Sequence, residues 1–301
     1  MGSDTMSKVE AASKTHLNNI MQIAVFQLND TNFYGINISK IRSIEDYKKY
    51  ELIHNNTVKN PLLEGYIRYQ NDVVPTLSLE KWLEIYTENS VFLEYLICDY
   101  NKERVALPIC SIRNIFNVPI ESLQKPDRMA DMLTYEAVVD IDGEKAIVLV
   151  LDVEKLLFDV FGANYTIPDG ANLDAAKQLL IAEDSRTAQA IIADIMQRSP
   201  VKYQIFNDGQ DLIEHLDSLQ DAQLEDIGLI ITDIEMPRKD GYQVLKHIQS
   251  NARFTGIPIA VNTSMSDKGV DHKTQMLGAC AFIAKTDPQT FLGTIAAHIR
   301  H

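Results

Sequence analysis

The chain has 301 residues, of which 46% are hydrophobic and 23% charged, and its formal net charge is −14. The length favours about two domains, and the composition is that of an ordinary globular protein. Nucleic-acid binders neutralise phosphates with a basic face, so the acidic balance argues against a nucleic-acid partner. No stretch approaches the roughly 20 apolar residues of a membrane span, and three scattered cysteines favour reduced thiols in a cytoplasmic protein.

The first half of the chain is rich in short apolar or alternating segments that are separated by turn residues. Nine of these segments predict β-strands, at residues 22–28, 33–38, 65–69, 73–77, 92–98, 104–109, 112–118, 134–141 and 146–151. Asp142-Gly143 is a strong signal for a tight turn between the last two strands. Many short strands with regular turns favour one or two small barrels. Residues 152–161 have apolar residues at helical spacing, which predicts a helix that closes the domain.

Several motifs of this half occur in a fixed order, namely FYGINI (residues 33–38), NPLLEGYIR (60–68), VVPTL (73–77) and DVEK (152–155). With them, residues 16–165 resemble the CheW-like coupling domain of bacterial chemotaxis. The resemblance implies two small five-stranded barrels that bridge the regulatory domain of a histidine kinase to chemoreceptor tips. It also shows departures, because the family's Arg-Gly pair is absent at residues 69–72 and Ser78 replaces an acidic residue. A generic β-barrel interaction domain is the alternative.

The second half of the chain alternates between short apolar runs and segments of helical spacing. Residues 166–174, with Pro168 and Asp169-Gly170, have little apolar periodicity and are interpreted as a linker. After it, strands are predicted at residues 179–182, 203–206, 229–232, 257–261 and 282–284, and helices at 186–197, 211–219, 242–249, 267–277 and 290–299. Five strand–helix units predict an α/β, doubly wound parallel sheet, whose ligands bind beyond the carboxyl ends of the strands.

Polar side chains follow four of these five strands. Glu183 and Asp184 follow the first strand, Asp233 the third, Thr263 the fourth and Lys285 the fifth. In a parallel sheet these positions converge on one edge. Three clustered carboxylates demand a cation, and Mg²⁺ prefers oxygen ligands. Because a carboxylate can accept a phosphoryl group whose charge lysine and metal neutralise, the cluster predicts phosphoryl transfer to a carboxylate.

This constellation, with the flanking text DIEMP (residues 233–237) and Asp240-Gly241, resembles the receiver domain of two-component response regulators over residues 175–301. The resemblance implies a flavodoxin-like fold for these residues, and it implies that Asp233 is the phosphoacceptor. It implies roles for the remaining residues: Mg²⁺ ligands (Glu183, Asp184, Asp233 and the backbone carbonyl of Glu235), phosphoryl contacts (Thr263, Lys285) and an aromatic switch (Phe282). A core aromatic is the alternative for Phe282. The pair Glu-Asp stands where Asp-Asp is commoner.

A coupling domain joined to a receiver is the arrangement of CheV-type chemotaxis coupling proteins. The resemblance implies an adaptor that is not an enzyme, that is cytoplasmic and associated with chemoreceptor arrays, and that phosphorylation of Asp233 regulates. One alternative is a phosphate sink that draws phosphoryl groups from the kinase and is localised by the barrels. Another is a transcriptional regulator, against which the acidic balance and the lack of a helix-turn-helix pattern weigh. The receptor, the stimulus and the sign of the effect stay open.

Overall fold

The computed structural model describes residues 20–54, 60–100, 103–126, 132–161, 173, 177–263, 277–285 and 288–300. The chain divides into two compact units, Met1–Gly162 and Ala163–His301. The first unit is built mainly from antiparallel strand pairs, with two parallel pairs among them, and the second alternates between strands and helices. Most of the predicted linker and of the predicted helix 267–277 lies outside the described residues.

The described part of the first unit has ten strands in two five-stranded sheets. The strands are β1 (Ile20–Gln27), β2 (Phe33–Asn37), β3 (Ile41–Asp46), β4 (Leu63–Tyr69), β5 (Asp72–Leu77), β6 (Glu94–Tyr100), β7 (Glu103–Ile109), β8 (Ser111–Pro119), β9 (Leu133–Ile141) and β10 (Glu144–Leu151). The sheet orders are β8-β1-β2-β10-β9 and β3-β6-β7-β5-β4. Helices α1 (Leu79–Trp82) and α2 (Val153–Phe161) and short 3₁₀ turns at Ile38–Lys40, Tyr47–Lys49 and Ile120–Ser122 complete it.

Each sheet closes on itself through one isolated antiparallel bridge. Gln124, which follows β8, exchanges backbone hydrogen bonds of 2.9 and 2.8 Å with Glu136 of β9. Ile53, which follows β3, exchanges two bonds of 2.9 Å with Tyr66 of β4. A Cβ on Gly65 would lie 2.4 Å from the Ile53 carbonyl oxygen, so only glycine allows this approach. The two closed sheets agree with the predicted pair of five-stranded barrels.

The two barrels share an apolar core. Along β1, Ile23 and Val25 are buried inside the first barrel, whereas Phe26 belongs to a cluster that also contains Leu96 and Leu107 of the second. Alternate residues of a strand face opposite sides of the sheet. Both faces of β1 carry apolar residues because each face is covered by one of these two clusters. The side chain of Trp82 on α1 enters the shared cluster and donates its indole N–H to Asp159 of α2 at 2.9 Å.

Strand β3 was not predicted from the sequence. Ser43 takes one of its two buried positions and is 4% exposed, and the Ser43 hydroxyl lies 3.0 Å from the Tyr69 hydroxyl. A buried polar group is tolerated there because it has a hydrogen-bond partner. A strand is found in a sequence by the alternation of apolar and polar residues. In β3 a polar residue stands at a buried position, so this alternation is interrupted.

The second unit is a parallel sheet with helices on both faces. Its strands are β11 (Gln178–Ala182), β12 (Tyr203–Phe206), β13 (Ile227–Thr232), β14 (Ile259–Thr263) and β15 (Ala281–Ala284), in the order β12-β11-β13-β14-β15. The helices are α3 (Arg186–Met196), α4 (Gly209–Ser218), α5 (Asp221–Leu224), α6 (Gly241–Ser250) and α7 (Pro288–His298), with a 3₁₀ turn at Ala252–Phe254. One apolar cluster holds residues of α3 and α7, the other those of α4 and α6. This arrangement confirms the predicted doubly wound class.

The fourth strand of this sheet differs from its predicted bounds. It begins at Ile259 rather than at Ile257, because Ile257 donates its amide to the Phe254 carbonyl at 3.1 Å in the preceding turn. The strand also ends later than predicted, so that Thr263 is the last residue of β14 instead of the residue after it. Among the described helices, none is both long and apolar enough to cross a membrane.

Candidate functional site

The polar residues predicted to converge do so at the carboxyl edge of the parallel sheet. Glu183 and Asp184 follow β11, Asp233 follows β13, Thr263 ends β14 and Lys285 follows β15. Four of these residues are almost fully buried, with exposures of 0% (Glu183), 3% (Asp233), 1% (Thr263) and 4% (Lys285). Asp184 is half-buried and lies at the solvent side of the group.

Backbone hydrogen bonds that continue the sheet beyond its strands fix the order of these residues. The Asp233 amide donates to the Ala182 carbonyl at 2.9 Å, and the Lys285 amide donates to the Thr263 carbonyl at 3.0 Å. The Glu183 amide donates in the same way to Phe206 at the end of β12, at 3.0 Å. Each of these backbone hydrogen bonds thus ties a site residue to the neighbouring strand and fixes its position at the carboxyl edge of the sheet.

Lys285 bridges two of the carboxylates. Its Nζ lies 2.8 Å from Glu183 Oε1 and 2.7 Å from Asp233 Oδ2. Carboxylate oxygens of Glu183, Asp184 and Asp233 lie within 4.8 Å of one another. One ammonium does not balance three carboxylates, and buried charges of like sign are unfavourable without compensation. The donor set, all oxygen and partly open at Asp184, therefore fits a divalent cation such as Mg²⁺.

The turn after β11 holds Glu183 through residues that the sequence did not single out. The Ser185 amide donates to Glu183 Oε1 at 3.2 Å, and Ser185 Oγ caps α3 by accepting from the Ala188 amide at 3.2 Å. Gln189 Nε2 donates to the Glu183 carbonyl at 2.5 Å. A serine directly before a helical segment is an N-cap signal, so Ser185 could have been found from the sequence.

The loop after Asp233 orients its carboxylate. The Ile234 amide donates to Asp233 Oδ1 at 2.6 Å, and the Gly241 amide donates to the Ile234 carbonyl at 3.0 Å. A Cβ on Gly241 would lie 2.2 Å from the Asp233 carbonyl oxygen, so α6 can begin this close only with glycine. Asp240 caps α6 in a reciprocal pair with Gln243. In the Asp240-Gly241 motif, the aspartate therefore caps α6 and the glycine allows the helix to begin close to the Asp233 backbone.

Two further predicted site residues lie beside this cluster. Glu235 is half-buried in the loop after β13, and the role of its backbone carbonyl as a metal ligand stays a prediction. Phe282 is on β15 and packs, partly buried, against the apolar cluster beneath α4 and α6. That packing is compatible with a core aromatic and with a switch, so the switch role also stays a prediction.

Comparison with known proteins assigns both halves of the chain. Residues 22–161 match the CheW-like domain family, and residues 179–296 match the response regulator receiver domain family. Chemotaxis proteins CheV2 and CheV1 of Helicobacter pylori are each 27% identical to the chain, and the alignments cover 93% and 95% of it and 95% of each relative. Among solved structures, the scaffolding protein TtCheW from Thermoanaerobacter tengcongensis covers 49% of the chain and 94% of its own length, with 17% identity and a TM-score of 0.42.

The chain is therefore a signalling adaptor in which a CheW-like domain precedes a response-regulator receiver domain. Since its curated relatives named CheV align over nearly the full length of both partners, the chain belongs to the CheV-type chemotaxis proteins.

Proposed function

We propose that the chain couples chemoreceptors to a histidine kinase through its CheW-like domain, and that phosphorylation of Asp233 regulates this coupling. The observation that carries the proposal is the contact of 2.7 Å between Lys285 Nζ and Asp233 Oδ2, beside two further carboxylates. One cluster thereby contains a nucleophile, a cation for the transferred group and oxygen ligands for Mg²⁺.

The transfer that this geometry supports is an in-line displacement. A carboxylate oxygen of Asp233 attacks the phosphorus of a phosphohistidine on the kinase; the O–P bond forms, the P–N bond breaks and the imidazole leaves. The Ile234 amide, 2.6 Å from Oδ1, holds the carboxylate in orientation. Lys285 neutralises charge on the phosphoryl oxygens, and the Thr263 hydroxyl donates a hydrogen bond to one of them.

The metal site proposed for this reaction uses the carboxylates of Glu183, Asp184 and Asp233 and the backbone carbonyl of Glu235. When bound, Mg²⁺ supplies positive charge to the transferring phosphoryl group. Phosphorylation draws Lys285 toward the new anion, and we propose that Phe282, on the strand before Lys285, transmits the change to the surface of the receiver.

The coupling role is supported by the distribution of exposed apolar side chains. Within the described residues, the large apolar side chains that are exposed all belong to the first unit: Ile53, Val73, Tyr86, Val91, Leu93, Val138, Ile147 and Phe158. Val138 and Ile147 lie opposite each other across β9 and β10 and are 56% and 59% exposed. Exposed apolar side chains that lie side by side, as these two do, are a feature of protein-binding faces. We assign this surface to the kinase regulatory domain and the cytoplasmic receptor tips, and we propose that the chain is associated with receptor arrays.

The test compares wild type with Asp233→Asn and, as matched control, Asp221→Asn at an 87% exposed side chain. With a small phosphodonor and Mg²⁺, wild type and Asp221→Asn should acquire acid-labile phosphate, and Asp233→Asn at most a few per cent of it. In reconstituted arrays, Asp233→Asn should still bring kinase to receptors but should no longer respond to phosphodonor.

Two outcomes would contradict parts of this proposal. Equal labelling of Asp233→Asn would remove Asp233 as phosphoacceptor. If Asp233→Asn and omission of the protein gave the same kinase activity, the phosphate sink would replace the coupler, since a sink has no influence without its acceptor.

A further inference from the structure

A salt bridge ties the loop that follows Asp233 to the beginning of α4. The loop spans residues 234–240. Arg238 Nε lies 2.7 Å from Asp208 Oδ2, and Arg238 Nη2 bonds both Asp208 and Asp211. The Asp208 side chain is 3% exposed, whereas that of Arg238 is 45% exposed. A buried carboxylate is strongly unfavourable without a partner, so Asp208 fixes the position of the guanidinium.

The backbone of the loop is constrained at the same place. Arg238 has φ of 57°, in the left-handed region that residues with a Cβ seldom adopt. Such a conformation persists where surrounding contacts determine it. A Cβ on Gly209 would lie 2.5 Å from the Lys239 carbonyl oxygen, so loop and helix start are in direct backbone contact. Side chain and backbone thus hold the loop against α4 independently.

The loop that is held in this way carries two groups of the site. Its first residue, Ile234, orients the Asp233 carboxylate through the amide contact of 2.6 Å to Oδ1. Its second residue, Glu235, has the carbonyl proposed as a metal ligand. A displacement of the loop would therefore move a ligand carboxylate and a ligand carbonyl together.

We propose that Arg238 is a positioning residue, and that its salt bridge with Asp208 holds the loop so that Mg²⁺ meets preformed ligands. The inference rests on the proposed function. A preorganised site loses less free energy in ordering its ligands when the ion binds. The salt bridge should therefore act on metal affinity, and much less on phosphoryl transfer once the metal is bound.

Two substitutions break the salt bridge between Arg238 and Asp208 from its two sides. Arg238→Asn deletes the guanidinium, and asparagine tolerates the left-handed backbone. Asp208→Asn keeps the N-cap of α4, in which Asp208 Oδ1 accepts from the Asp211 amide at 3.0 Å, but removes the charge. Each should raise the Mg²⁺ dissociation constant, measured by calorimetry on the full chain, about tenfold. The double variant should match Arg238→Asn, because deleting the guanidinium already removes its contacts with both Asp208 and Asp211.

Further measurements separate positioning from a merely structural role. The rate of phosphorylation by a small phosphodonor should return to within about twofold of wild type at saturating Mg²⁺, while the half-saturating Mg²⁺ concentration rises about tenfold. In metal-free protein, the Gly241 amide, which bonds Ile234, should exchange hydrogen faster in both variants. The control is Arg253→Asn, since Arg253 pairs with Asp221 at 3.0 Å near the opposite edge of the sheet, and it should change neither quantity.

Unchanged Mg²⁺ affinity in Arg238→Asn and Asp208→Asn, with wild type binding the ion and accepting phosphate, overturns the positioning role alone. A lower rate at saturating Mg²⁺ with unchanged affinity overturns it as well. A wild-type chain that neither binds Mg²⁺ nor accepts phosphate overturns the proposed function, whatever the variants do.

Discussion

At the scale of single residues, Lys285 is the charge on which the site depends. Its side chain is 3% exposed and contacts Glu183 and Asp233, whose side chains are equally buried. Removing one member of a buried ion pair leaves the other charge uncompensated, which costs about 3–5 kcal/mol. The lysine therefore stabilises the fold before it serves any reaction.

We accordingly expect Lys285→Met to lower the free energy of unfolding by about 3–5 kcal/mol in metal-free protein. Saturating Mg²⁺ should restore a large part of this loss, because the ion supplies positive charge to the same carboxylates. Urea unfolding in EDTA measures the loss of stability, and urea unfolding in Mg²⁺ measures how much of it the ion restores. The matched control is Lys202→Met, an exposed lysine, which should change stability by at most about 0.5 kcal/mol. A metal-free Lys285→Met as stable as wild type would contradict this account.

In the three cysteines, burial lowers the reactivity of the side chain. Burial raises the pKa of the Cys98 thiol to about 12 and that of Cys110 to about 11, and it raises the pKa of Cys280 as well. A thiol reacts as its thiolate, so at neutral pH all three are protonated and weakly nucleophilic. This agrees with the interpretation of the cysteines as ordinary reduced side chains.

At the scale of elements, the sequence predicted those strands and turns whose residues follow a local rule. Asp142-Gly143 forms the turn between β9 and β10 with φ of 56° and 89°, as an Asp-Gly tight turn requires. Ser78, noted as a departure from the family pattern, caps α1 by accepting from the Lys81 amide. Strand β3 was missed because its buried Ser43 is satisfied by Tyr69, a residue 26 positions away.

The closing bridge of the second barrel provides a prediction for an element. Gly65→Ala would place a Cβ 2.4 Å from the Ile53 carbonyl oxygen, which is backbone and can move only by lengthening the bridge to Tyr66. We expect a loss of about 1–3 kcal/mol, typical of overpacking. Amide hydrogen exchange of Ile53 and Tyr66, the two donors of the bridge, should accelerate at least about tenfold.

The control for that substitution is Gly293→Ala. Gly293 lies in α7, and a Cβ there meets nothing within 4 Å. Alanine in a helix is favoured over glycine, so this variant should gain about 0.5–1 kcal/mol and leave the exchange of Ile53 and Tyr66 unchanged. Unchanged exchange in Gly65→Ala would contradict the expectation that the added Cβ weakens the bridge.

The candidate site was predictable in part for the same reason. Glu183, Asp233 and Lys285 each follow an apolar run, and parallel strands bring their carboxyl ends to one edge, so local order implied proximity. The contact between Arg238 and Asp208 joins two loops 30 positions apart and leaves no periodic signal. Contacts of this kind depend on how loops settle on the finished sheet, and only the structure shows them.

At the scale of the whole molecule, two units with separate cores are joined in one chain. We keep residues 16–165 and 175–301 as the proposed domains and residues 166–174 as the proposed linker. A covalent linker gives the receiver a high effective concentration at whatever the first domain binds. Regulation should therefore depend on continuity of the chain.

We expect residues 1–165 alone to bind receptor–kinase complexes in pull-down experiments, without any phosphate chemistry. Adding residues 166–301 as a separate chain, phosphorylated and at equal concentration, should leave kinase activity in reconstituted arrays unchanged, whereas the phosphorylated intact chain alters it. Binding by the receiver fragment alone would contradict the assignment of the docking surface to the first domain. Regulation by the mixed fragments would show that the linker is dispensable.

The indole of Trp82 belongs to the only tryptophan in the chain, and it is 4% exposed in the first unit. The tryptophan emission of the protein thus originates in the unit that lacks the phosphoacceptor. The indole N–H is bonded to Asp159 on α2, the last described helix of that unit, so a displacement of α2 would change the environment of the indole. A change in the wavelength or intensity of the tryptophan emission on addition of phosphodonor would report, without any label, that phosphorylation of the receiver affects the first unit.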